Sequence, residues 1–272
     1  ITSSAHLPSI IFVASPTDNP QLIFGCGASL PVIRDALKPG FPFFVRVLLP
    51  YRRKGIGRLI VAELADYVLS WNVPHLLSWH AYGHGEQYAF LKACGFDAYL
   101  KVHKFQVVRE SAHILLDLLA RFQQKNDSFK GLQLKLLTEA NVHEIASLYC
   151  AHFMVSFEVG LQTLKQMTSL PQASLLSSIA YLENNPIGFI IGYLDTENLP
   201  KVDFWMIGPK FRNSPISLVL LCHFVKNAYE HGYSVARFDC NDDARSTLKV
   251  AARLNAETLE VCESFAYALD AQ

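Results

Sequence analysis

Phe43-Phe44-Val45-Arg46-Val47-Leu48-Leu49-Pro50-Tyr51-Arg52-Arg53-Lys54-Gly55-Ile56-Gly57-Arg58 reads as an apolar strand running into a basic turn that holds two glycines. The aromatic and branched run from Phe43 to Leu49 suits a strand, and Pro50 ends its ladder because proline has no N–H to donate. Beyond the turn, Leu59, Ile60, Ala62, Leu64, Ala65, Val68 and Leu69 recur at helical spacing. The turn therefore sits at a helix N-terminus. There the first N–H groups lack intrahelical partners and carry the positive end of the dipole, so backbone amides can hold phosphate oxygens. Gly55 and Gly57 let such a ligand approach closely. A basic solvated turn or a nucleic-acid patch could also collect Arg52, Arg53, Lys54 and Arg58, but it needs neither the strand nor the glycine spacing nor the helix.

The spacing separates this turn from two other phosphate-binding loops. Ile60 stands where a dinucleotide fingerprint has its third glycine, and no Gly-Lys-Ser/Thr follows as a Walker loop requires. What the stretch resembles is the acyl-CoA signature of the GCN5-related N-acetyltransferase (GNAT) superfamily, Arg/Gln-x-x-Gly-x-Gly/Ala, matched by Arg52, Gly55 and Gly57 with Pro50 just upstream. The resemblance implies an α/β (α+β) fold with a mixed, mostly antiparallel central sheet flanked by helices. It also implies acetyl-CoA as co-substrate, held by Arg52, Arg53, Lys54, Gly55, Ile56, Gly57 and Arg58. The strand before the turn is then expected to splay, with a backbone N–H of Leu48 or Leu49 polarising the thioester carbonyl.

Composition bounds the class. The chain has 272 residues, 51% hydrophobic and 18% charged, with 24 basic against 24 acidic side chains. A neutral balance gives no general electrostatic reason to expect nucleic acid or an anionic membrane as partner, and the length fits two domains of ordinary size. Cys26, Cys94, Cys150, Cys222, Cys240 and Cys262 are scattered, with no Cys-x-x-Cys pair, so neither a metal site nor a disulfide framework is expected. That usage fits a reducing, cytoplasmic location. No apolar run reaches the ~20 residues of a membrane span.

An internal repeat sets the domain plan. Ile11 to Ala14, a turn through Asn19-Pro20 and then Leu22 to Gly25 parallel Ala180 to Leu182, a turn through Asn184-Asn185-Pro186 and then Gly188 to Gly192, roughly 170 residues later. After each hairpin come a strand, a proline, a basic turn and a helix, with Pro209-Lys210-Phe211-Arg212 echoing Pro50-Tyr51-Arg52. A strand and a shorter helix follow again, His75 to His80 with Glu86 to Cys94, and Val235 to Cys240 with Asp243 to Leu254. The expected organisation is two tandem GNAT-like units, residues 1–110 and 131–272, joined by a helix and linker over 111–130. Ser111 is placed to cap that helix, with Ile114, Leu115, Leu118, Leu119 and Phe122 as its apolar stripe. The stripe suits packing on either unit, and with an edge strand it is one of two surfaces for a homodimer. The resemblance implies a strand and helices before the hairpin, and the first unit is expected to be without them, since ten residues stand before Ile11. The second has Leu132 to Leu137 as a strand, a capping box at Asn141 and Glu144, and a helical run from Leu161 to Met167. Its turn reads Arg212-Asn213-Ser214-Pro215-Ile216-Ser217, so proline and serine replace the two glycines and one cradle amide is lost. The second loop is read as degenerate.

The resemblance implies direct attack of a primary amine on the thioester, the acceptor being a small molecule or a peptide. The incoming ammonium must first lose a proton. Ionisable groups gather at Trp79-His80-Ala81-Tyr82-Gly83-His84-Gly85-Glu86, where His80 is the first candidate base and Glu86 the second. The family's tyrosine acid falls at Leu91, four residues before Gly95-Phe96. Tyr88, one turn earlier, is the substitute donor, or else packs or contacts CoA. Loss of that tyrosine also motivates an alternative reading, a non-catalytic acyl-CoA-binding or regulatory protein.

Overall fold

The computed structural model describes residues 9–30, 38–111, 113, 114, 117, 120, 131–153, 155–212 and 214–269. The chain divides into two compact units, Ile1–Val102 with Cys262–Gln272, and His103–Val261. Residues 262–269, assigned from sequence to the second unit, thus group with the first. Phe265 is fully buried in the first unit's core, and Ala266, Tyr267 and Ala268 pair antiparallel with Leu77, Leu76 and His75. The helical residues after the first unit begin at Arg109, so Ser111 lies inside the turn rather than capping it; Leu115, Leu118, Leu119 and Phe122 fall outside the described residues.

The first unit runs β1 (Ile10–Ala14), β2 (Gly25–Ser29), β3 (Phe41–Val47), a 3₁₀ turn (Leu49–Tyr51), α1 (Ile56–Ser70), β4 (His75–Ser78), α2 (Glu86–Ala93) and the start of β5 (Asp97–Val108). The end of β11 (Glu257–Ala268) completes it, in the order β1-β2-β3-β4-β11-β5. β3 and β4 are parallel, while β1–β2, β2–β3 and β4–β11 are antiparallel. The strand expected over Leu22 to Gly25 forms instead over Gly-Cys-Gly-Ala-Ser, a run of weak strand formers. Packing explains why. A Cβ on Gly27 would lie 2.3 Å from Ile60 Cγ2, so α1 rests directly on the β2 backbone and only small residues fit beneath it. α1 buries Ile60, Val61, Leu64, Ala65 and Val68, whereas Leu59 is 67% exposed and leaves the apolar face assigned to it.

The second unit contains β6 (Gln133–Leu136), α3 (His143–Phe153), α4 (Phe157–Thr168), α5 (Ala173–Leu176), β7 (Ser178–Leu182), β8 (Asn185–Leu194), β9 (Pro200–Ile207), a 3₁₀ turn (Pro209–Phe211), α6 (Ile216–Glu230), β10 (Val235–Asn241) and α7 (Arg245–Arg253). Its β7–β8 hairpin turns on Glu183 and Asn184, both at positive φ (51° and 63°), as a two-residue hairpin loop requires. The repeat is visible element by element, since α1 and α6 are each 15 residues long and each follows a strand and a 3₁₀ turn. Asn141 does not form the expected capping box. Its Oδ1 accepts from Thr138 N at 2.8 Å and its Nδ2 donates to Leu136 O, while Glu144 Oε2 accepts the Tyr181 hydroxyl at 2.9 Å. Among the described residues no helix is long and apolar enough to cross a membrane.

Candidate functional site

In the first unit β3 keeps β4 as a partner only as far as Phe43–Ser78, where Trp79 N donates to Phe43 O at 3.0 Å. Backbone groups of successive strand residues alternate between the two neighbouring strands. Leu30 N donates to Pro42 O and Leu48 N to Phe24 O, which turns Pro42, Phe44, Arg46 and Leu48 toward β2. Val45 and Val47 therefore present their amides and carbonyls to the gap left as β4 parts from β3. This changes the sequence-based assignment: the Leu48 N–H is already spent on Phe24 O, and Leu49, 74% exposed, has entered the 3₁₀ turn. The N–H that faces the gap is that of Val45.

The turn that follows is built on two left-handed residues, Arg53 at φ 62° and Gly55 at φ 82°. α1 starts at Ile56 with no side-chain cap, and Leu59 N donates to Gly55 O, so the amides of Ile56, Gly57 and Arg58 form the helix's open first turn. A Cβ added at Gly55 would meet nothing within 4 Å, so the turn borders open space. At Gly57 it would meet Phe90 Cε2 at 2.9 Å, which shows how tightly α1 abuts α2. Arg52 Nε donates to Val47 O at 3.2 Å and its Nη1 to Glu86 Oε2 at 3.1 Å; Arg53 Nη2 lies 4.0 Å from Glu86 Oε1. Arg58 Nη2 donates to Ala93 O at 2.9 Å, and Lys54 Nζ sits 5.4 Å over the Tyr51 ring.

The gap and the turn form one cleft of about 940 Å³, lined by Val45, Val47, Arg52, Gly55 and Gly57 on one wall and Trp79, His80, Tyr82 and α2 on the other. Of the candidate chemical groups, His80 lines the cleft and is exposed, its carbonyl accepting from Ser78 Oγ at 2.8 Å. Glu86 lines it too, but its carboxylate is engaged by Arg52 and Arg53. Tyr88 does not line it. α2 turns Glu86, Gln87, Phe90 and Ala93 to the cleft, which leaves Tyr88 and the buried Leu91 on the core side. The Tyr88 ring lies 5.1 Å from Phe265 and 4.6 Å from His84. Desolvation, then a hydrogen bond to Glu263 and the charge of that carboxylate, push its phenol up. Tyr82 is the phenol beside His80 in the cleft, the two rings 6.4 Å apart at 89°. Two backbone hydrogen bonds with Glu263 (2.8 and 2.9 Å) fix it there, and half-burial raises its phenol, which therefore stays protonated. That placement depends on the pairing with residue 263 of β11, and local sequence carries no sign of it.

At the equivalent place in the second unit, Pro215 caps α6 at φ −78° and Ser214 Oγ accepts from Ile216 N at 3.4 Å, so the protein's own side chain occupies the first helical donor. The hollow beside it, lined by His152, Trp205, Arg212 and Ser217 among others, measures about 230 Å³. Among the described residues no three His, Cys, Asp or Glu side chains gather as a metal site would require.

No protein-family model and no curated protein matches the chain. Solved structures do match. A tandem GNAT protein from the clavulanic acid biosynthesis pathway aligns at a TM-score of 0.61 and 12% identity, covering 97% of this chain and 84% of that one. A GCN5-related N-acetyltransferase from Sphaerobacter thermophilus aligns at 0.57 and 11% identity, over 92% and 78% of the two chains. One from Anabaena variabilis aligns at 0.62 and 12%, over 92% of this chain and 61% of its own. At such identities the likeness is one of fold, and it agrees with the repeat, the parting strands and the open glycine turn. The chain has the GCN5-related N-acetyltransferase fold, in two tandem units.

Proposed function

We propose that the first unit binds acetyl-CoA and transfers the acetyl group to a primary amine. The observation that carries this reading is the continuity of the cleft, from the open first turn of α1 to the gap where β4 leaves β3. The residues fit the co-substrate: an open Cβ direction at Gly55, uncapped amides at Ile56, Gly57 and Arg58, and the guanidinium groups of Arg52 and Arg53 suit an anionic diphosphate. Lys54 lies over Tyr51 and adds long-range charge. Acetyl-CoA, when bound, supplies an activated thioester. The Val45 N–H is aimed to stabilise negative charge growing on the thioester oxygen, a donor commonly worth about 3 kcal/mol of barrier.

His80 takes the proton from the acceptor's ammonium so that its nitrogen can attack. The new C–N bond forms as the C–S bond breaks, Tyr82 donates a proton to the departing sulfur, and the second proton shed by the acylated nitrogen restores the phenol. The smaller, self-capped hollow of the second unit supports a single co-substrate site per chain. The burial of Leu91 supports one competing reading, a protein that binds acyl-CoA without turning it over. Thiol release from acetyl-CoA across a panel of amines separates the two. Turnover that falls about a hundredfold in His80→Ala and Tyr82→Phe, with acetyl-CoA binding retained, supports the enzyme. Binding without turnover on any amine supports the alternative.

A further inference from the structure

The side chains of β3 alternate between two faces. Val45 and Val47 pack with the core that α1 covers, so Phe44 and Arg46 stand on the opposite face. Cross-strand register sets Ile11 and Ala28 in line with Phe44, and Val13 and Cys26 in line with Arg46. Ile11, Val13 and Phe44 are 68%, 52% and 44% exposed, which makes Arg46 the single charged side chain in two apolar rows. Phe44 and Arg46 also line the cleft, so the cleft passes through the gap between the strands and reaches this face.

The other arginines of the cleft are committed on the α1 side. Arg52 and Arg53 face Glu86, and Arg58 holds Ala93 O. Arg46 takes part in no ion pair among the described residues. A guanidinium is a planar fork of donors matched to a carboxylate, and beside an apolar wall water competes with it less for that partner.

We propose that Arg46 and Phe44 form an acceptor subsite for an α-amino acid with an apolar or aromatic side chain. Arg46 binds the α-carboxylate, the side chain lies on Phe44, and the α-amine points into the cleft that Val45 and His80 both line. The inference rests on the acetyltransferase reading. Arg46 takes no part in the bond changes; it positions the amine.

The test compares acetylation of phenylalanine and leucine with that of their C-terminal amides, in wild type and Arg46→Gln, alongside calorimetry with acetyl-CoA. Wild type is expected to favour the free acids over the amides by about tenfold or more in kcat/KM. Arg46→Gln is expected to erase that preference through KM, with the acetyl-CoA Kd kept. Equal rates for acids and amides in wild type, or a variant that loses both alike, overturn the subsite. So does a wild type that binds acetyl-CoA and acetylates neither acids nor amides, and that outcome leaves the cofactor reading standing. Wild type that does not bind acetyl-CoA overturns the cofactor reading and the subsite with it.

Discussion

Glu86→Gln removes the charge that holds Arg52 and Arg53 while keeping the shape of the side chain. Arg52 stays hinged, because its Nε still donates to Val47 O at 3.2 Å. A diphosphate entering the turn competes with Glu86 for the same guanidinium, so removing the carboxylate should tighten binding. The two partners are 46% and 67% exposed, and an exposed ion pair of this kind is worth about 0.2–1 kcal/mol. With about 1.36 kcal/mol per tenfold, the expected gain is about 1.4- to 5-fold in the Kd for acetyl-CoA. Calorimetric titration at low ionic strength measures it, and raising the salt should shrink it, since screened charges compete less. The turnover number should persist, because the Glu86 carboxylate is turned to Arg52 and Arg53 and His80 is the base of the proposed reaction. Weaker binding in the variant would mean that Glu86 organises the turn rather than competing for it. A fall of about a hundredfold or more in kcat would make Glu86 the base in place of His80.

Phe265→Ala tests the crossing of the C-terminal strand into the first unit: the ring is fully buried beside Tyr88, so denaturant unfolding should report a loss of about 3–5 kcal/mol, and a loss under about 1 kcal/mol would contradict the placement. In the second unit, His223 Nδ1 faces the Ser178 hydroxyl at 2.6 Å and Asn227 Nδ2 at 3.3 Å, so it accepts and the ring is neutral. Burial first, then Lys226, lowers its pKa, with Glu230 opposing. The unfolded chain therefore binds the extra proton. Stability from this group is complete above the ordinary histidine pKa of about 6.5 and declines as pH falls below it, so thermal unfolding between pH 7.5 and pH 5 should be less pH-dependent in His223→Gln, and an unchanged slope would exclude His223 as the source.

The glycine turn was legible because its chemistry is local: Arg52, Gly55 and Gly57 sit at fixed offsets, and the helix face that follows has a period of its own. The tandem plan was legible for the same reason, since each hairpin, strand and helix repeats in order. What sequence missed depends on partners far along the chain. β2 is a strand because α1 presses on Gly27, although Gly-Cys-Gly-Ala-Ser has little strand propensity. Leu48 is a plausible donor until Phe24 O is found opposite it. Tyr88 and Tyr82 look equivalent in sequence, yet the roll of α2 against Phe265 turns one to the core, while Glu263 pins the other in the cleft. Ala266, Tyr267 and Ala268 pair with Leu77, Leu76 and His75 of β4, positions 189 to 193 apart, and no local pattern announces it.

Calorimetric titration of the chain with acetyl-CoA, beside Gly55→Pro, tests the central claim most directly. Gly55 sits at φ 82° and proline is held near −65°, so the variant cannot form the turn, while nothing packs against that Cβ position. The account predicts one site per chain in wild type and none in the variant, with far-UV circular dichroism of the two superimposable. No binding by wild type, or binding that survives Gly55→Pro, would contradict it.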